Sequence, residues 1–130
     1  MSESDEFSRR IEVIEAGYEY LLAYAAQGRQ EDAGSAARQT LEDMSAALDG
    51  LGALAVAAVG RAAVEGRPDT EEFLETVSRD ARLARGAIGL VLGRKLISSL
   101  LVDNLNASVH LRALLTDLFL VEQALNSANG

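Results

Sequence analysis

The chain has 130 residues, a net charge of −8 and a pI near 4.6, and one globular domain over residues 1–130 fits that length. With 48% apolar and 25% charged residues it has the composition of a folded chain rather than a disordered one. The absence of cysteine and the single histidine exclude disulfides, thiolate metal sites, cysteine nucleophiles and any site needing two histidines from one chain.

The acidic balance argues against nucleic acid, whose phosphates require clustered Lys and Arg, and against an anionic membrane surface. Met1-Ser2-Glu3-Ser4-Asp5-Glu6 has neither the basic segment nor the apolar core of a secretory signal. The longest uncharged stretch, Gly50 to Gly60, is about half what a spanning helix needs. A soluble, cytoplasmic protein is therefore expected, and the sequon Asn106-Ala107-Ser108 reads as chance. Eleven arginines stand against the single Lys95, a bias expected of a GC-rich, bacterial genome.

Ala, Leu, Glu and Arg dominate and Pro68 is the single proline, which favours helix throughout. A period of 3.5 to 3.6 residues recurs in four segments. The first places Phe7, Ile11, Ile14, Tyr18, Leu21 and Ala25 on one seam. Ser2 or Ser4 can cap it, with Glu3, Asp5 and Glu6 favourably placed in the first turn, and Gly28 ends it. The second begins near Ser35 and carries Ala37, Leu41, Met44, Leu48, Leu51, Ala55, Ala58 and Ala62. The seam stays in phase through Gly50 and Gly52, which predicts one long helix, bent there at most, stopped by Gly66-Arg67-Pro68.

The third segment opens with Asp69 as a cap and Glu72 three residues on, a capping-box pattern. Its seam is Leu74, Val77, Ala81, Ala84, Ile88 and Val91. The fourth carries Ile97, Leu100, Asn104, Ala107, Leu111, Leu114, Leu118, Val121 and Leu125. The last two seams miss each other near Gly93, so a turn is predicted at Gly93-Arg94-Lys95. The fold class expected is all-α, an antiparallel four-helix bundle with long helices and short loops that dimerises. Residues 1–4 and 126–130 are expected to be flexible ends.

Chemistry-bearing residues are sparse. Gly86, Gly89 and Gly93 share one face, and mid-helix glycines cost about 0.5–1 kcal/mol each relative to alanine. Close packing against the small residues of the second segment explains them best; a ligand groove is the alternative. The fourth segment is apolar beyond its seam, as expected either of a central helix covered on several sides or, as favoured, of an oligomer interface built from Leu101, Leu105, Val109, Leu115 and Phe119, with a patch for a different partner as a further reading. Asn104, on the seam, is expected to set register. Asp103, Asn106 and His110 can approach one another on one side of a helix, as a ligand-contacting or pH-sensitive group.

Glu12, Glu15 and Glu19 read as a solvated face, since bundle metal sites take a Glu-x-x-His from each of two helices. Arg79, Arg82 and Arg85 read as a face neutralised by Glu71, Glu72, Glu75 and Asp80. No catalytic constellation, cofactor site or metal site is expected. The function expected is a non-catalytic interaction module, a small acidic assembly factor, adaptor or regulator whose partners are a second copy of itself and another protein. The alternative is a small-molecule sensor with a pocket near the third-segment glycines, and an enzyme of unknown type comes third.

Overall fold

The computed structural model describes residues 2–61 and 68–129, without the side chains of Arg61, Pro68, Val109, His110, Ala128 and Asn129. Among the described residues the fold is all helix, with six helices and no strand. They are α1 (Glu3–Ala25), α2 (Ala37–Leu48), α3 (Leu51–Arg61), α4 (Pro68–Leu92), α5 (Ser99–Ala107) and α6 (Val109–Asn129). The two longest, α1 and α4, each pack against α2, α3, α5 and α6. A single core of apolar side chains runs between them, from Phe7 and Ile11 to Val121 and Leu125. Six helices replace the expected four because the second and fourth sequence segments are each broken.

The first helix starts as its sequence dictates. The Ser2 side chain accepts from the Asp5 amide, and the Asp5 side chain accepts from the Ser2 amide, a reciprocal capping box. Arg9 and Arg10 both bond the Glu6 carboxylate and pull its pKa down to about 2. Its buried stripe is Phe7, Ile11, Ile14, Gly17, Leu21 and Tyr24, while Tyr18 and Ala25 are only half-buried. A straight helix drifts against a 3.5-residue seam, and the burial follows the drift. Gly28 lies beyond the helix end, in a loop, with φ +65°.

Helix two does not continue to residue 61. It ends at Leu48, Asp49 is extended, and Gly50 takes φ +68° before α3 begins. The two axes differ by 44°. Burial nevertheless stays in phase across the break, from Ala37, Leu41, Met44 and Leu48 to Leu51, Ala55 and Ala58. The expected Ala62 and the stop at Gly66-Arg67 lie outside the described residues. No single helix among the described residues is long and apolar enough to cross a membrane.

Helix four begins at Pro68, the first-turn position that suits proline, so Asp69 sits inside the helix instead of capping it. Its seam is buried as expected. It ends at Leu92, and the predicted turn follows. The fourth segment then departs from expectation. Ile97 is buried in the turn itself, outside any helix, and Ser108 is extended between α5 and α6. The phase carried back from Leu111 therefore fails in α5. Leu100, Asn104 and Ala107 face solvent, and Ser99, Val102, Leu105 and Asn106 face the core. Helix extends to Glu3 at one end and to Asn129 at the other.

Two loops are tied together by side chains. The Tyr24 hydroxyl donates to the Ile97 carbonyl at 2.6 Å and also lies 3.2 Å from that of Glu31. The Ile97 amide donates to Asp32, which holds that carboxyl below its usual pKa. Arg38 bonds the carbonyls of Leu92, Arg94 and Lys95, and the buried Ser99 hydroxyl bridges Tyr24 and Arg29. The Tyr24 ring stacks on Tyr20 and lies under the Arg29 guanidinium.

Two glycines are sites of close approach. A Cβ on Gly52 would meet the backbone Cα of Ser78 at 2.6 Å, so α3 and α4 touch there. A Cβ on Gly17 would meet the Met44 side chain, which can swing away. Gly52→Ala is expected to lower unfolding stability by about 1–3 kcal/mol and Gly17→Ala by clearly less. Tyr24→Phe is expected to cost about 1–3 kcal/mol, because the buried Ile97 carbonyl loses its donor. Urea unfolding followed by circular dichroism measures all three.

Candidate functional site

The sequence-selected residues do not assemble into one site. Of the five interface candidates, Leu105 and Leu115 lie in the chain's own core, and Leu101 is half-buried against it. Phe119 is 38% exposed, and the Val109 side chain lies outside the described residues. Asn104 is exposed and off the seam. The buried amide is instead Asn106, whose Nδ2 donates to the Leu21 carbonyl at 3.0 Å. Asp103 is exposed, so it and Asn106 point to different surroundings, and α5 ends before the position of His110, whose side chain lies outside the described residues. Glu12, Glu15 and Glu19 are all exposed.

The small-residue face of α4 is not packed against α3. A Cβ on Gly86 or Gly89 would meet nothing within 4 Å, and one on Gly93 would meet only carbonyls of its own helix. The close contact with α3 sits two to three turns earlier, at Ser78. Gly86 and Gly89 therefore face outward. They share that face with Leu83 and Leu90, which are 41% and 75% exposed. The spacing explains it: residues three, four and seven apart lie on one side of a helix, and the core seam of Ala84, Ile88 and Val91 occupies the opposite side. The exposed apolar run continues beyond the helix in Leu96 at 56% and Leu100 at 69%. Isolated exposed leucines are unremarkable on a protein surface; Leu83 and Leu90 lie two turns apart on one side of α4 with bare helix backbone between them.

The arginines of α4 pair only in part among the described residues. Arg85 bonds the Ser45 carbonyl at 3.2 Å and lies 3.7 Å from the Asp49 carboxylate. Arg79 and Arg82 have no ion pair among the described residues, nor do Arg94 and Lys95 just past the helix end. Glu72 and Glu75 line a cleft with Arg79 and Arg82, so acids and bases share this side of the helix.

None of the clefts described is lined by Gly86, Gly89 or Gly93, although two reach Arg79, Arg82 or Arg85. One of about 320 Å³ runs between α3 and α4 beside Gly52, Val56, Leu74 and Glu75. Another of about 300 Å³ lies between α1 and α6 beside Glu15, Tyr18, Arg112 and Phe119. Among the described residues no group of three or more His, Asp or Glu is placed to hold a metal ion. Asp117 on α6 titrates above the usual aspartate range, because burial and then the nearby Asp80 on α4 both disfavour its charge.

Comparison with protein-family models, with curated proteins and with solved structures finds no match to this chain.

Gly86→Ala and Gly89→Ala, placed in open space on a helix, are each expected to raise stability by about 0.5–1 kcal/mol in thermal unfolding. Asp117 should show the opposite sign of a typical salt-bridged acid. Its folded pKa lies above the unfolded one, so its charge opposes folding at neutral pH and that opposition fades as pH falls through the folded pKa. Asp117→Asn is thus expected to stabilise the protein at pH 7 and to lose that advantage below the carboxylate range, as read from urea midpoints across pH.

Proposed function

We propose that this chain is a non-catalytic protein-interaction module, a small acidic helical adaptor, assembly factor or regulator. One observation carries the reading: the outward face of α4, with Leu83 and Leu90 exposed over bare backbone at Gly86 and Gly89 and the apolar run continuing in Leu96 and Leu100. Glycines within a helix weaken it, and among the described residues Gly86 and Gly89 gain no packing contact in return. A partner that lies close to the α4 backbone supplies the missing return.

The surface through which the sequence suggested self-association is reduced, since Leu105 and Leu115 belong to the core. The binding surface in this proposal is therefore the α4 face. Native mass spectrometry of the chain purified from its source cell, after mild crosslinking, tests the reading. The expected result is the chain in a stoichiometric complex with another protein or with a second copy. A bare monomer, or a monomer carrying a small molecule, as the sole species overturns it.

A further inference from the structure

We infer that α6 is an exchangeable element: α5 and α6 fuse into one helix across Ser108, and the released α6 is seated in the bundle of a second copy of this chain, whose own α6 returns the exchange. The inference is independent of the α4 face and concerns a different part of the fold.

The junction is a hinge of one torsion. Ser108 has φ −60° and ψ 125°. Its φ is already helical, so a rotation of ψ alone to about −42° joins α5 to α6. Nothing in Leu105-Asn106-Ala107-Ser108-Val109-His110 forbids a helix, since neither glycine nor proline is present. Fusion also pairs the last carbonyls of α5 with the first amides of α6, groups that two separate helices leave without helical partners.

The buried stripes decide what fusion does to the bundle. On a common helix of about 3.6 residues per turn, Val102 and Leu105 of α5 fall on one side, and Leu111, Leu114 and Leu118 of α6 fall on the other. Both stripes cannot face the same bundle once the helix is straight. The half that stays is α5. Ser99 bonds the Tyr24 carbonyl and the Arg29 amide, and Asn106 bonds the Leu21 carbonyl. Among the described residues no side-chain hydrogen bond or ion pair joins α6 to another helix. Asp117 of α6 is repelled by the nearby Asp80 of α4.

A straight helix therefore carries α6 out of its own bundle with its apolar stripe uncovered. The seat it vacates, against α1 and α4, is shaped to the side chains of α6, and a second copy supplies the same helix. Leu100, 69% exposed, and the exposed Asn104 and Ala107 continue the α6 stripe back along the fused helix. They are the part of that stripe the separate chain leaves in solvent, and the exchanged pair covers them where the two chains cross over.

The test is light scattering on the full chain, refolded from urea at low and at high protein concentration. A dimer is expected at high concentration, with helical circular dichroism equal to the monomer's or greater. Val109→Pro probes the hinge, because proline suits the first position of α6 after an extended residue and breaks a continuous helix. It is expected to leave a folded monomer and to weaken dimerisation at least about tenfold. Ser108→Ala, a better helix former in both copies, is expected to strengthen dimerisation about fivefold. Glu19→Cys with Thr116→Cys, two exposed positions on the cleft between α1 and α6, reports exchange directly. A short bismaleimide is expected to join two chains in the isolated dimer and to close within one chain in the monomer. A monomer at every concentration overturns the inference, as does a dimer whose crosslink stays within one chain or a dimer that Val109→Pro leaves intact. If Val109→Pro fails to fold, the crosslink in the isolated Ser108→Ala dimer decides. A dimer that Gly86→Leu dissolves belongs to the α4 face; the interaction-module reading then stands and this inference falls.

Discussion

The fold depends on how the first loop is tied to the turn after α4. Tyr24 reaches across with its hydroxyl to the Ile97 carbonyl, Asp32 takes the amide of the same residue, and Arg38 gathers three carbonyls at the end of α4. Each of these backbone groups would otherwise be left without a helical partner, since the last carbonyls of a helix have none within it. The tie therefore does two jobs. It terminates α4 at Leu92, and it holds the start of α5 against the end of α1 through Ser99. Both α1 and α5 then meet along a common wall, where Asn106 bonds the Leu21 carbonyl. Polar contacts of this kind contribute modestly on a net scale, but losing one partner strands the other in the interior.

Much of the architecture was legible in the sequence because burial in a helix writes a period. The seams of α2, α3 and α4 are buried where the spacing put them, and the turn at Gly93 was visible as a slip between two phases. Three things were not legible. The break at Asp49–Gly50 keeps the hydrophobic phase, so periodicity alone could not reveal it; only a glycine with φ +68° marks it, and glycine tolerates many conformations. The break at Ser108 resets the phase without a glycine or proline to announce it. Ile97 looks like the first residue of a seam but is a buried loop residue, so extending the seam through it misassigned Leu100 and Asn104 to the core.

The glycines of α4 show the same limit at the candidate site. Their clustering was plain, and close packing was the expected cause. The structure places the close packing at Gly52 and Gly17 and leaves Gly86 and Gly89 bare. The signal that separates the two cases is which side of the helix each glycine occupies relative to the seam. Gly86 lies midway between Leu83 and Leu90, away from Ala84, Ile88 and Val91, and that reading was available from spacing. The unpaired state of Arg79 and Arg82 was not, because i to i+4 spacing allows an ion pair without requiring one.

Arg38 belongs to α2 yet serves as the C-terminal cap of α4, so the end of one helix is held by a side chain from another. The amide protons near Val91 and those near Asp32 are therefore expected to open together in hydrogen exchange. Anything that holds the outer side of α4 in its helical form also slows solvent access to the loop between α1 and α2, on the far side of the arginine. The loop has no contact with that outer surface and needs none. It is coupled to the end of α4 through the Arg38 guanidinium and through the bonds of Asp32 and Tyr24 to Ile97.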